Sequence, residues 1–169
     1  MSGVAIDIAS LTSEQAASIE VAPRYVDPAV EMEAVRSYFT ALLARRSMAF
    51  DLGYGADLPR RLRYDPILIR RCVGDMIANV AAVTLRGGLS LRAAAGRAAE
   101  RLFRLTIEVA EETPAESETE AMRAEEDEDV SALMPRLSRA RLLARMLGGD
   151  VTAVHRPERG LLLTLTFLA

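Results

Sequence analysis

The chain has no lysine and no tryptophan, one cysteine, Cys72, and one histidine, His155. All 21 basic residues are therefore arginine, a usage that codon bias alone can produce. Without lysine there is no P-loop lysine and no Schiff-base lysine. A lone cysteine excludes an intramolecular disulfide and a cysteine-rich metal site. A Ser-His-Asp set would have to use His155 as its only base, and nothing in the sequence supports one. No stretch approaches the roughly 18 apolar residues of a membrane helix. The opening residues MSGVAIDIAS lack the basic flank and apolar run of a signal peptide. These absences read as a cytoplasmic protein without membrane insertion. The net charge of −3 argues against general nucleic-acid affinity.

What is present fits one globular domain. The 169 residues are half hydrophobic and 27% charged, enough to bury a core without disulfides. Charge is unevenly spread. From Glu111 to Asp129 ten acidic residues face one arginine, Arg123, giving −9. The remainder carries 20 basic and 14 acidic residues, or +6. Such a block of like charge stays solvated, so residues 111–130 read as a flexible acidic loop inside the domain.

Local patterns supply the elements. Residues 1–17 are weakly patterned, and Ile19-Glu20-Val21 reads as an edge strand before Pro23. Asp27-Pro28 and Asp65-Pro66 each place a capping aspartate before a proline at the first helical position. The first helix carries an apolar stripe of Val30, Met32, Val35, Phe39, Leu42 and Leu43. The second carries Ile67, Leu68, Val73, Ile77, Val80 and Val83. Met48 to Leu52 alternates as a strand, and Gly53, Gly55 and Pro59 mark a loop. Leu89 to Ala93 and Leu102 to Val109 alternate as a pair of strands. Pro135 opens a third helix, 135–147, with Leu137, Ala140, Leu143, Ala144 and Leu147 inward, stopped by Gly148-Gly149. Val151–Val154 and Leu161–Phe167 form a closing hairpin. The order is β-α-β-α-β-β-loop-α-β-β. It implies an α+β protein, a two-layer α/β sandwich with one mixed sheet of about five strands and three main helices on one face.

Four stretches then resemble the ATP-binding catalytic domain of bacterial sensor histidine kinases, a branch of the gyrase/histidine-kinase ATPase superfamily. They are Asp65–Thr84, the Gly87-Gly88 turn into the next strand, Leu105–Glu111, and Leu137–Ala169. The resemblance covers roughly 18–169 and leaves 1–17 as a leader or the remnant of a preceding helix. It implies the histidine-kinase-type ATPase fold, with residues 111–130 as the equivalent of the nucleotide lid. On the second helix it assigns Asp75 and Asn79 to the nucleotide site, Asn79 being the residue that would hold magnesium if Mg-ATP binds. Their spacing of four puts both on one helix face, although Asp75 could equally pair with Arg71, also four away. Glu111 stands where the family has an adenine-binding Asp.

The sequence departs from the family at both glycine boxes. Thr113 and Ala115 occupy glycine positions, and Pro114 lacks a backbone donor. Met134-Pro135-Arg136-Leu137 has no glycine to offer backbone amides to phosphates. Arg136 is left either as a phosphate contact or as a solvated arginine. The acidic lid-equivalent would also repel a triphosphate. The resemblance, so altered, implies a degenerate domain that expects no cofactor and acts in two-component signalling through protein contacts. Its partner would be a kinase dimerisation hairpin or a response-regulator receiver. The competing expectation is the ATP-binding domain of a divergent kinase, using Mg-ATP, with the phosphorylated His on a separate hairpin. The seventeen leading residues are too few to supply that hairpin. Oligomeric state is left open. His155 reads as a surface or edge-strand residue, Cys72 as a buried small hydrophobe. The run Pro59–Arg63 reads as a solvated loop, or as a contact for an acidic partner or for the chain's own acidic loop.

Overall fold

The computed structural model describes residues 20–112, 128–129, 137–156 and 159–169. The two Asp-Pro signals act as the sequence implies. Asp27 accepts the Ala29 amide at 2.9 Å and opens helix α1, Pro28–Ala44. Asp65 accepts the Ile67 and Leu68 amides at 2.9 and 3.1 Å and opens helix α2, Pro66–Val83. Its second oxygen takes the Ala22 amide at 2.9 Å, tying the start of the described chain to this corner. Helix α3 runs Leu137–Met146, and the chain leaves it through Gly148 at φ +74°, the left-handed conformation that suits glycine.

Two sheets form. Strands β1, Arg24–Val26, and β3, Leu62–Tyr64, pair antiparallel as a small ribbon. The main sheet is mixed and has the order β2-β4-β5-β8-β7-β6. Its strands are β2 (Ala49–Tyr54), β4 (Gly88–Ala99), β5 (Leu102–Glu112), β6 (Glu128–Asp129), β7 (Asp150–Arg156) and β8 (Gly160–Leu168). β2 lies parallel to β4, with α2 in the connection, and every other pairing is antiparallel. Register places Leu105 beside Phe167, Ile107 beside Leu165, and Val109 beside Leu163. These six are buried, whereas the alternating Thr106, Glu108, Thr164 and Thr166 are partly exposed. One face therefore carries the core against the three helices, which is the expected α+β sandwich.

Several sequence expectations need correction. The edge strand lies after Pro23, at Arg24–Val26, rather than at Glu20-Val21. Its partner β3 occupies residues read as loop, because Leu62 and Tyr64 turn inward and bury while Arg63 points out. The ends of two helical stripes are exposed: Val30 and Leu42 on α1, Ile67 and Val83 on α2. The acidic loop is shorter than its charge suggests. β5 continues through Glu112, held by pairing with Gly88 and Leu89, and Glu128-Asp129 pair with β7. Residues 113–127, with most of the acidic segment, lie outside the described residues, as do 1–19 and Pro135.

Candidate functional site

α2 is the longest helix among the described residues, and its middle is wedged between the sheet and α3. Cys72, Val73, Met76, Ile77 and Val80 are fully buried there. The Cys72 thiol donates to the Ala140 carbonyl of α3 at 3.3 Å. Burial, with Asp75 nearby, pushes this thiol up to about 12, so it is an inert core group and not a nucleophile. On the same flank Asp75 reaches α3. Arg139 Nε donates to Asp75 Oδ2 at 2.6 Å, and its terminal nitrogen donates to Oδ1. This fork is the strong, planar kind of charge-assisted pair. The partner of Asp75 is thus Arg139, 64 residues away, and not Arg71. The i,i+4 rule could not find it, since it sees one helix at a time.

Asn79, one turn on, is only 6% exposed, and its side-chain amide donates to the Asp75 carbonyl at 2.7 Å. The structure keeps Asp75 and Asn79 on one face of α2. Glu111 lies near the end of β5, opposite Leu89 of β4. Its carboxylate folds onto the β7–β8 turn, where Oε2 accepts the Leu161 amide at 3.3 Å. Gly160 makes this possible. It sits at φ +71°, and a Cβ there would run into the Glu111 carboxylate. Neighbouring Glu112 accepts the Ser90 hydroxyl at 2.5 Å. Arg136 lies outside the described residues. His155 is exposed on β7, opposite Leu161, a surface position as the sequence implies.

The residues sequence reasoning missed are Arg139 and Gly160. Arg139 carries no local signal. Gly160 does, as the last residue of a Pro-Glu-Arg-Gly turn. Among the described residues no cluster of three or more His, Cys, Asp or Glu side chains is grouped as a metal site. Nor is any helix among them long and apolar enough to cross a membrane.

No protein-family model matches the sequence, and no curated protein matches it. Solved structures do. The histidine kinase AdeS of Acinetobacter baumannii is 15% identical, with 91% of this chain and 69% of that chain covered and a TM-score of 0.59. The cytoplasmic segment of histidine kinase QseC is 12% identical, covering 89% and 79%, at 0.58. The catalytic domain of histidine kinase ThkA is 13% identical, covering 88% and 97%, at 0.57. ThkA in complex with the response regulator TrrA is matched too, at 12% identity and 0.58, covering 88% of this chain and 42% of that one. The fold of this chain is that of a histidine-kinase catalytic domain.

Proposed function

We propose that the chain is a degenerate histidine-kinase-type domain that serves two-component signalling by protein contact and binds ATP weakly or not at all. The observation that carries this is the orientation of Glu111. At the position the resemblance assigns to adenine recognition, the carboxylate is committed to the chain's own Leu161 amide. Asp75 is similarly committed, to Arg139. The sequence adds the lost glycines at Thr113 and Ala115, Pro114 in place of a donor, and the −9 segment. Mg-ATP is therefore a poor fit to these residues, and no phosphotransfer step is assigned to the chain. The complex of ThkA with TrrA shows a kinase of this fold engaging a response regulator. A response-regulator receiver, or the dimerisation hairpin of a kinase, is accordingly the proposed partner, and the cytoplasm the proposed location.

The runner-up is the catalytic domain of a divergent kinase. The retained Asn79, four residues after Asp75 on the same helix, favours it. There Asn79 would offer a hard oxygen ligand to magnesium. Isothermal titration with Mg-ATP separates the two. The proposal expects a Kd no tighter than about millimolar, a binding energy near −4 kcal/mol, and no autophosphorylation of a supplied hairpin. Micromolar binding abolished by Asn79→Ala would replace it with the kinase reading.

A further inference from the structure

The β1–β3 ribbon has a distinct outer face. Inward, Leu62 and Tyr64 are each 3% exposed, and the Tyr64 ring packs edge-on against Phe167 at 5.6 Å. Outward, register sets Tyr25 opposite Arg63, so their side chains share the solvent face. Tyr25 is 61% exposed, and the Arg61 guanidinium lies over its ring, 4.5 Å from the centroid. Arg60, Arg61 and Arg63 are all exposed, and none of the three makes an ion pair among the described residues, whereas Arg24, also exposed, stands opposite the inward Tyr64.

Three acids at this corner are already used, while Glu20, just before the ribbon, is exposed. Asp27 and Asp65 cap helices, and Glu31 pairs with Arg70 at 3.3 Å. α1 and α2 both begin here, so two helix N-termini add to the positive field. Their first turns also expose Val30 and Ile67. Like charges crowded at Arg60, Arg61 and Arg63 repel one another, and within the fold only the stacking of Arg61 on Tyr25 offsets this. With an aromatic anchor among them they have the composition of an interface centre.

We infer that this outer face docks a partner protein through a carboxylate-rich patch on that partner. A guanidinium stacked on a tyrosine ring is pre-oriented to fork onto a carboxylate, with little side-chain freedom left to lose. Charge complementarity favours a compact acidic patch over a nucleic acid or a charged membrane. At physiological salt a small patch feels the ribbon alone, within a Debye length of about 8 Å. An extended polyanion meets more of a chain whose net charge is −3. This deepens the interaction reading and rests on it for its setting in signalling, but its test does not involve nucleotide.

Fluorescence anisotropy would follow a labelled peptide of alternating glutamate and leucine binding to the full chain. An alternating glutamine and leucine peptide, a single-stranded oligonucleotide and anionic-lipid vesicles are the comparisons. The acidic peptide should bind best, with affinity falling as salt rises. Arg61→Ser with Arg63→Ser should weaken it about tenfold or more, and Tyr25→Ser should weaken it further. All three sites are exposed, so unchanged circular-dichroism melting should confirm that the variants fold. No peptide binding, binding indifferent to these substitutions, or stronger binding of oligonucleotide or vesicles would overturn the inference. So would peptide binding that appears only after Glu116, Glu118 and Glu120 are changed to Gln, since the ribbon would then already be covered by its own chain. Tight ATP binding would sink the degenerate reading and leave these outcomes unaffected, so the two fail separately.

Discussion

The chain should lose stability in alkali through one thiol. Cys72 is fully buried under α3, with its ionisation pushed up from 9.0 to about 12, mainly by burial and next by Asp75. In the unfolded chain the same thiol ionises near its ordinary value. Between these values the unfolded state has released a proton that the folded state still holds, so unfolding is favoured as pH rises. The contribution is intact below about pH 9 and falls by about 1.4 kcal/mol per pH unit above it. By pH 11 that amounts to about 2.5 kcal/mol, a large share of an ordinary domain's stability. Tyr64 acts in the same direction. Burial, then Glu31 and Asp27, hold its hydroxyl well above its usual range, and it lies buried without a hydrogen-bond partner among the described residues.

Urea unfolding at steps from pH 8 to 11 would measure the loss, with Cys72→Ala as the comparison. The alanine variant should be destabilised at pH 8 by its lost packing and its lost contact to Ala140. Its curve should then fall less steeply, so that the two converge in alkali. Identical slopes would refute the assignment to Cys72. Rapid alkylation of the native protein by iodoacetamide at pH 8 would refute the burial argument itself, since a thiol with so high a pKa presents almost no thiolate.

Three further outcomes follow from the site geometry. Gly160→Ala should cost about 1–3 kcal/mol in urea unfolding, from the positive φ and the collision with Glu111. Adding Glu111→Ala should recover only the part due to the collision. A double-mutant cycle of Asp75→Asn and Arg139→Gln should give a coupling of about 1–2 kcal/mol, held below the value for a fully buried pair because Arg139 is 40% exposed. Asp75→Asn with Arg71→Gln should show no coupling in the same measurement.

What could be read in the sequence was local chemistry. Asp-Pro at 27–28 and 65–66 announces two helix starts, since cap and proline act within three residues. Gly148 marks the end of α3 for the same reason. The strand pattern of β8 was equally open, because Leu163 to Phe167 alternates without interruption. β3 was hidden for a physical reason. Only three residues alternate, and the arginines before them look like solvated loop until β1 is known to lie alongside. The exposed ends of the stripes, Val30 and Val83, follow spacing that is correct for a helix. Spacing cannot say how far along the helix the sheet extends. The strand character of Glu111 and Glu112 was masked by the charge that follows, whereas the pairing that holds them comes from Gly88 and Leu89.

The site residues fall on the same divide. Asp75, Asn79 and Glu111 were found by position along elements, but their partners sit 64 residues away on α3 and 50 residues away on β8 in the two carboxylate cases. Only folding selects those partners, and they bear on what the residues do. A carboxylate kept for a ligand must be left open to it, at a cost in the unliganded fold. Here Asp75 joins α2 to α3 and Glu111 joins β5 to the β7–β8 turn, so each stabilises the empty fold. A ligand that used either would first have to break that contact, and its affinity would fall by the energy of the contact broken. The arginines of the β1–β3 ribbon are in the opposite condition. They make no ion pair among the described residues, and the stacking of Arg61 on Tyr25 leaves the guanidinium edge open, so a partner that engages them has no internal ion pair to break. This energetic contrast is the ground for proposing that the ribbon, rather than Asp75 and Glu111, binds the partner.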